Sequence, residues 1–212
     1  MRVLIVGANG KIGRHLLELM AESPHEARAM VRDADQIPLM EKLGATEAVV
    51  ADLEGDCGEA LRSCDAVVFT AGSGPHTGPD KTVDVDQNGA MRIVDAAAAA
   101  GIRRFVMVSA MRADEPDKGP EKIRHYLLAK QKADDHLRAS GMDYTVVRPG
   151  PLTEDPATGR IEVGDKLDRT GKIPREDVAA VLLATLDAAN TENRTFDVLS
   201  GEIPVAEAVA GL

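Results

Sequence analysis

Tryptophan is missing from this chain of 212 residues, and the aromatic complement stops at three Phe and two Tyr. The core must therefore be aliphatic. Cysteine is almost missing too: Cys57 and Cys64 stand seven positions apart, without metal-ligand spacing, so buried or idle thiols are expected rather than a disulfide framework or a metal site. No apolar run approaches the roughly eighteen residues of a helical membrane span, so no membrane partner is expected. Positive charge is in short supply, with 25 Lys and Arg against 35 Asp and Glu and a formal net charge of -10. No general field draws a phosphate backbone to such a surface, and nucleic acid is not an expected partner. The amino end runs straight into "MRVLIVG", with no basic region and no small-residue cleavage site, so no signal peptide is read and the expected compartment is the cytoplasm.

What is present is ordinary for a globular protein: 44% hydrophobic and 28% charged residues. The length suits one well-cored domain, residues 1–212, with 151–212 completing the sheet edge and adding a small substrate-side lobe. Short apolar runs alternate with amphipathic stretches: "RVLIV", "KIGRHLLELMAE", "EARAMVR", "IPLMEKLG", "EAVVADL", "GEALRSC", "DAVVFTAG", "VDQNGAMRIVDAAAAAG", "RRFVMVS" and "DYTVVRPG". Parallel strands need long crossovers and lose water on both faces, so this alternation predicts an α/β fold: a single-domain, doubly wound, mostly parallel Rossmann sheet with helices on both faces. Gly44, Gly101 and Gly141 sit where helices should stop. Toward the end, "GRIEVGDKLDRTGKIP" reads as a hairpin, "REDVAAVLLATLDAA" as a helix, "RTFDVLSG" as a strand and "PVAEAVAGL" as a closing helix.

Gly7-Ala8-Asn9-Gly10-Lys11-Ile12-Gly13 lies between the first strand and an apolar-periodic helix. Glycines there permit a tight turn and close backbone approach, and a helix N-terminus offers free N–H groups to a pyrophosphate. A glycine triplet alone is weak evidence, since glycines also mark plain turns. Its place at the start of a βαβ run is the context that a dinucleotide site requires.

With "VLIVGANGKIGRHL" around it, this GxxGxxG spacing resembles the short-chain dehydrogenases/reductases, in particular their extended and atypical branches. The resemblance covers most of the chain through "ADL" at 51–53, "FTAG" at 69–72, residues 85–109, a YxxxK pentapeptide, "DYTVVRPG" at 143–150 and "REDVA" at 175–179. It implies an NADP cofactor, NAD being less expected. The residue after the second strand reads the adenosine ribose in that family, and Arg32 there suits a 2'-phosphate. Asp33 beside it is the alternative reader of a ribose hydroxyl, or a partner for Arg32. Asp52 and Leu53 match the adenine-edge contact, with a loop acid or helix cap as the plain reading of Asp52. Ala71 and Gly72 are expected to close the fourth strand near the switch point where the cofactor crosses, or to be simple turn residues, and Pro149 and Gly150 would shape backbone beside the nicotinamide or merely end the strand.

Tyr126 and Lys130, in "YLLAK", share a helix face at i and i+4. The resemblance makes Tyr126 the acid/base at a carbonyl or alcohol oxygen and gives Lys130 two tasks, lowering the phenol's pKa and holding the nicotinamide ribose. Ser109 would assist. The family has a hydroxyl pair at this point, whereas this chain reads Val108-Ser109-Ala110, which puts Ala110 where the working hydroxyl commonly stands. His125 is expected to be exposed, and His76 to be a surface-loop histidine with a place over the nicotinamide as its other reading. Arg148 is expected either as the "RPG" arginine or in a structural ion pair. Asp134 and Asp135, with Lys130, Lys132 and Arg138, read as a solvated helix face.

These features imply an NADP-dependent oxidoreductase acting on a small carbonyl, alcohol or related substrate, as a monomer or homodimer. Three alternatives stand beside it: an NADP(H)-sensing protein with a degenerate site, a flavin or quinone reductase, and a sugar-nucleotide epimerase or dehydratase. The pocket is expected to be lined from Met111 to Glu121 and from Leu152 to Thr170.

Overall fold

A computed structural model of the chain describes residues 1–74 and 77–212, so the reading of His76 lies outside the described residues. Strands are β1 (Arg2–Val6), β2 (Glu26–Val31), β3 (Glu47–Val50), β4 (Ala66–Phe69), β5 (Arg104–Val108), β6 (Asp143–Pro149), β7 (Leu152–Thr153), β8 (Arg160–Gly164), β9 (Ile173–Pro174), β10 (Arg194–Ser200) and β11 (Ile203–Pro204). Helices are α1 (Lys11–Ala21), α2 (Ile37–Lys42), α3 (Gly58–Leu61), α4 (Pro79–Lys81), a π-helical run Thr82–Gly89, α5 (Ala90–Ala99), α6 (Arg124–Ala139), α7 (Arg175–Asp187) and α8 (Val205–Ala210).

The main sheet has the order β11-β8-β10-β6-β5-β4-β1-β2-β3. From β3 across to β6 and on to β10 every neighbour is parallel, while β8 joins β10 and β11 in antiparallel pairs. β1 and β4 are neighbours although two strands separate them in sequence, which sets a switch point at their carboxyl ends; open α/β sheets bind ligands there. This is the doubly wound α/β domain that the alternation predicts. The expected hairpin over residues 159–174 does not form. β8 pairs with β10 and β11 instead, and β9 pairs in parallel with β7 in a separate two-stranded sheet. Local turn residues had suggested a neighbour in sequence, but the open edge of β10 supplied a longer ladder.

Residues of β1 show how the sheet is held. Val3 and Ile5 face one aliphatic core, packed with Leu16, Leu17 and Met20 of α1 and Val178, Val181 and Leu182 of α7. Leu4 and Val6 face the other, with Ile93 and Val94 of α5 and Phe69 of β4. β1 and β4 are covered on both faces, so polar alternation is absent there and these strands read as continuous apolar runs. Gly44, Gly101 and Gly141 follow α2, α5 and α6 with φ of +103, +77 and +77, the left-handed region that ends a helix and favours glycine. No helix of the described residues is long and apolar enough to cross a membrane.

Candidate active site

The turn after β1 is built of backbone in close approach. Gly7 has φ +84, and a Cβ there would stand 2.6 Å from the Ala71 backbone, so the end of β4 lies against the turn. A Cβ on Gly13 would meet the Gly7 carbonyl at 2.5 Å and that of Ala8 at 2.7 Å. Gly10 precedes α1 as its N-cap, closes the turn by donating its N–H to the Gly7 carbonyl (2.9 Å), and caps with no side chain of its own. The first-turn N–H groups of α1, from Lys11 to Gly13, therefore point out of the helix end with no intrahelical acceptor. Such a cradle fits a pyrophosphate between the ends of β1 and β4.

Around the cradle, Ala8 and Ile12 are buried, while the Asn9 side chain accepts from Arg14 at 2.7 Å. Lys11 Nζ reaches Glu154 at 2.8 Å, an exposed pair that joins the turn to the segment after β7. Arg32 is exposed at the end of β2 and makes no ion pair among the described residues. Asp33 accepts from Gln36 at 2.8 Å and so is not partnered by Arg32. Asp52 closes a local turn by accepting the Glu54 N–H at 2.9 Å. Leu53 is buried, and its carbonyl accepts from Arg92 at 2.7 Å. Pro149 and Gly150 are buried at the end of β6; the Pro149 carbonyl accepts the Met111 N–H at 3.0 Å.

At the carboxyl edge of β5, Lys130 is 3% exposed and donates to the Val108 carbonyl at 3.2 Å. Its Nζ lies 3.2 Å from Asp86 Oδ1 and 5.7 Å and 5.8 Å from the ring centroids of Tyr126 and Phe69. Asp86 comes from the π-helical run and is itself 1% exposed. One of its oxygens accepts the Ser73 N–H at 3.0 Å, while Oδ1 makes no hydrogen bond of good geometry despite its nearness to Lys130. A Cβ on Gly72 would stand 3.2 Å from that same oxygen. Gly72 lies three residues past Phe69, so it does not close β4; the carboxylate sits beneath the segment that follows the strand, with Oδ1 turned to the Lys130 ammonium. Sequence reasoning passed over Asp86, which stands among Asp84, Gln87, Asn88 and Arg92 in "VDVDQNGAMRIV" and has no local signal of its own.

Burial pushes the Tyr126 phenol up from its ordinary value, and the neighbouring ammonium opposes this only in part. Burial works against the Lys130 charge as well, yet Tyr126, Asp86 and Asp134 together hold its pKa above the usual lysine value. The pair is accordingly phenol and ammonium at neutral pH. Both folded-state values are raised, so the stability they contribute is complete below the ordinary values of 10.0 and 10.5 and is lost as pH rises through the higher folded ones. The unfolding midpoint is expected to hold steady to about pH 9 and fall beyond pH 10, and to fall less steeply in Tyr126→Phe; a pH series of thermal melts checks it.

Ser109 follows β5, with its hydroxyl turned toward α6. It is 2% exposed and donates its proton to Asp134 Oδ2 at 2.9 Å, so that proton is already committed. Asp134 also accepts two bonds from Arg148, at 3.1 Å and 2.9 Å, and Arg148 lies 3.4 Å from Asp114. The ion-pair reading of Arg148 is the one found. The solvated-face reading of α6 is corrected at Asp134 and Lys130, both buried, because the helix packs that side against β5, β6 and the π-helical run. His125 is exposed, as expected. Cys57 and Cys64 are free thiols whose pKa values burial raises, and no cluster of metal-ligating side chains occurs among the described residues.

The NAD(P)H-binding family pattern matches residues 7–189, from the first cradle glycine through α7. The chain belongs to that family. It is an NAD(P)-binding Rossmann protein of the atypical short-chain dehydrogenase/reductase kind. It is 48% identical to the uncharacterized sugar epimerase YhfK of Bacillus subtilis, with all of both chains covered. It is 30% identical to a (4-alkanoyl-5-oxo-2,5-dihydrofuran-3-yl)methyl phosphate reductase of Streptomyces griseus, over 94% of this chain and 68% of that one. A solved Bacillus halodurans protein assigned as an NAD-dependent epimerase/dehydratase superposes with a TM-score of 0.98 at 48% identity, covering both chains fully.

Proposed function

We propose that the protein is an NADP-dependent oxidoreductase that reduces a small carbonyl or related substrate at the edge of β4 and β5. The observation that carries this reading is the buried Lys130 ammonium, held by Asp86 and the Val108 carbonyl beside the Tyr126 ring. Gly7, Gly10 and Gly13, with the free amides of α1, hold the pyrophosphate. Arg32 takes the 2'-phosphate, having no acid of its own to neutralise it. When bound, the nicotinamide supplies the hydride.

Tyr126 does the proton work. Its phenol, kept neutral by burial, gives its proton to the carbonyl oxygen as the carbon–oxygen π pair moves there, and recovers one from water afterwards. Lys130 stabilises the phenolate so formed, and Asp86 holds that ammonium in place. Ser109 holds Asp134 and the β5–β6 edge in place rather than touching substrate.

Titration with NADPH and NADH, followed by a screen of aldehydes and enones under nicotinamide absorbance, tests the proposal. Arg32→Ser is expected to weaken NADPH binding about tenfold or more and leave NADH unchanged, the loss expected for a charged hydrogen bond. An unaltered NADPH affinity would remove Arg32 from the site. The Bacillus relatives favour a second reading, an epimerase in which the same Tyr126 acts at a sugar hydroxyl. The two separate on the cofactor: a reductase consumes NADPH in step with product, whereas an epimerase regenerates it.

A further inference from the structure

Beyond the end of β5 opens a cleft of about 430 Å³ between the segments after β5 and after β6. Met111, Ile123 and Leu127 form its apolar wall, and Leu127 is the chain neighbour of Tyr126. Each ionisable residue lining it among the described residues is a cation: Arg112, Lys118 and Arg169. That is unexpected in a chain of net charge -10. Arg169 pairs with Glu162 and Lys118 with Glu115, but neither acid lines the cleft. Glu115 is also shared with Lys166, both lysines standing at 2.6 Å, and together they hold its carboxyl down at about 2. With Glu162 set against Arg169 and Glu115 divided between two lysines, Arg112 is the cleft's unpaired charge among the described residues, while Arg112 and Lys118 also border an adjoining pocket lined by Asp114, Glu115, Asp168 and Asp197.

Arg112 has no carboxylate partner among the described residues. It is aimed by a bond from its Nη1 to the Lys118 carbonyl, 3.1 Å, and its φ of +68 is rare for a side-chain-bearing residue. An unpaired guanidinium, set in an uncommon backbone conformation at the rim of an apolar cleft, offers a fork to one anionic group.

We propose that this cleft selects substrates that join an apolar body to a carboxylate or phosphate, with Arg112 as the principal contact for the anion and Lys118 as the second. The catalytic meaning of the cleft rests on the oxidoreductase reading above; the binding site does not. Calorimetry on protein saturated with NADP+, which keeps the cofactor's phosphates out of the cleft, compares hexyl phosphate, hexanoate and hexanol. Both anions are expected to bind at least tenfold more tightly than hexanol, with an advantage that shrinks as salt rises. Arg112→Asn tolerates the left-handed backbone and is expected to cost the anions about tenfold while hexanol is unchanged. Lys118→Gln costs them a smaller factor.

Equal affinity for all three probes, or an equal loss of all three in Arg112→Asn, overturns the proposal. A kinetic arm compares hexanal with 6-oxohexanoate under NADPH, with a lower KM expected for the acid. Tight anion binding without turnover of any carbonyl would sink the oxidoreductase reading and leave the anion site standing. Equal KM values together with no anion preference would do the reverse.

Discussion

Tyr126→Phe is expected to lower carbonyl turnover by roughly 100- to 10,000-fold, the range for a positioned acid, while NADPH affinity stays within about twofold. The substitution removes one oxygen and keeps the ring, so the packing of Lys130 Nζ at 5.7 Å from the ring centroid survives. Lys130 also keeps Asp86 and the Val108 carbonyl, and so its buried charge remains compensated. The loss should fall on kcat, because the proton is delivered only as the carbonyl accepts hydride. Stopped-flow or steady-state absorbance with the best carbonyl of the screen measures it. Turnover undiminished in Tyr126→Phe would take the proton donor elsewhere and would favour a bound flavin as the reacting group.

Gly13→Val should abolish dinucleotide binding, by more than about 100-fold. The added Cβ meets two backbone carbonyls and the Ala8 Cα, at 2.5, 2.7 and 2.8 Å, and backbone cannot turn aside as a side chain can. α1 must shift away from the turn, carrying with it the amides that face the pyrophosphate. Gly10→Ala offers a graded control, since its Cβ would meet only the Gly7 carbonyl at 3.0 Å, and a loss of a few-fold is expected. Circular dichroism and thermal melts distinguish a folded variant that has lost its cradle from an unfolded one. Parent-like NADPH binding by a folded Gly13→Val would remove the turn from the cofactor site.

The parts of the molecule that sequence made legible are those ruled by local chemistry. Gly7 through Gly13 announce a turn that only small residues can make, and Gly44, Gly101 and Gly141 stop helices by reaching positive φ. The apolar run of β1 signals a strand buried on both faces, which is what its two cores require. What stayed hidden depends on distant partners. Asp134 looked like surface because α6 is rich in charge, yet β6 delivers Arg148 to it across the fold. Asp86 is distinguished only by an ammonium 44 positions away, which no spacing rule connects to it. β8 found its neighbours at the far edge of the sheet, where the choice turns on an open ladder rather than on its own residues. Asp177, in the "REDVA" stretch, owes its burial to the backbone N–H groups of Thr158 and Gly159, which it accepts at 3.0 and 2.8 Å.

The eight-residue π-helical run from Thr82 to Gly89 has a consequence for any attempt to redesign this protein. Wide winding of this kind accommodates an additional residue within the span of a helix, and each residue of an ordinary helix turns the chain by about 100 degrees. Trimming a single residue between Asp86 and α5 would regularise the coil and swing that carboxylate about a quarter-turn off the ammonium it now faces. Length in this segment is therefore a phase setting, as fixed as any side chain, and chimeras built by swapping loops at this edge must preserve it to the residue.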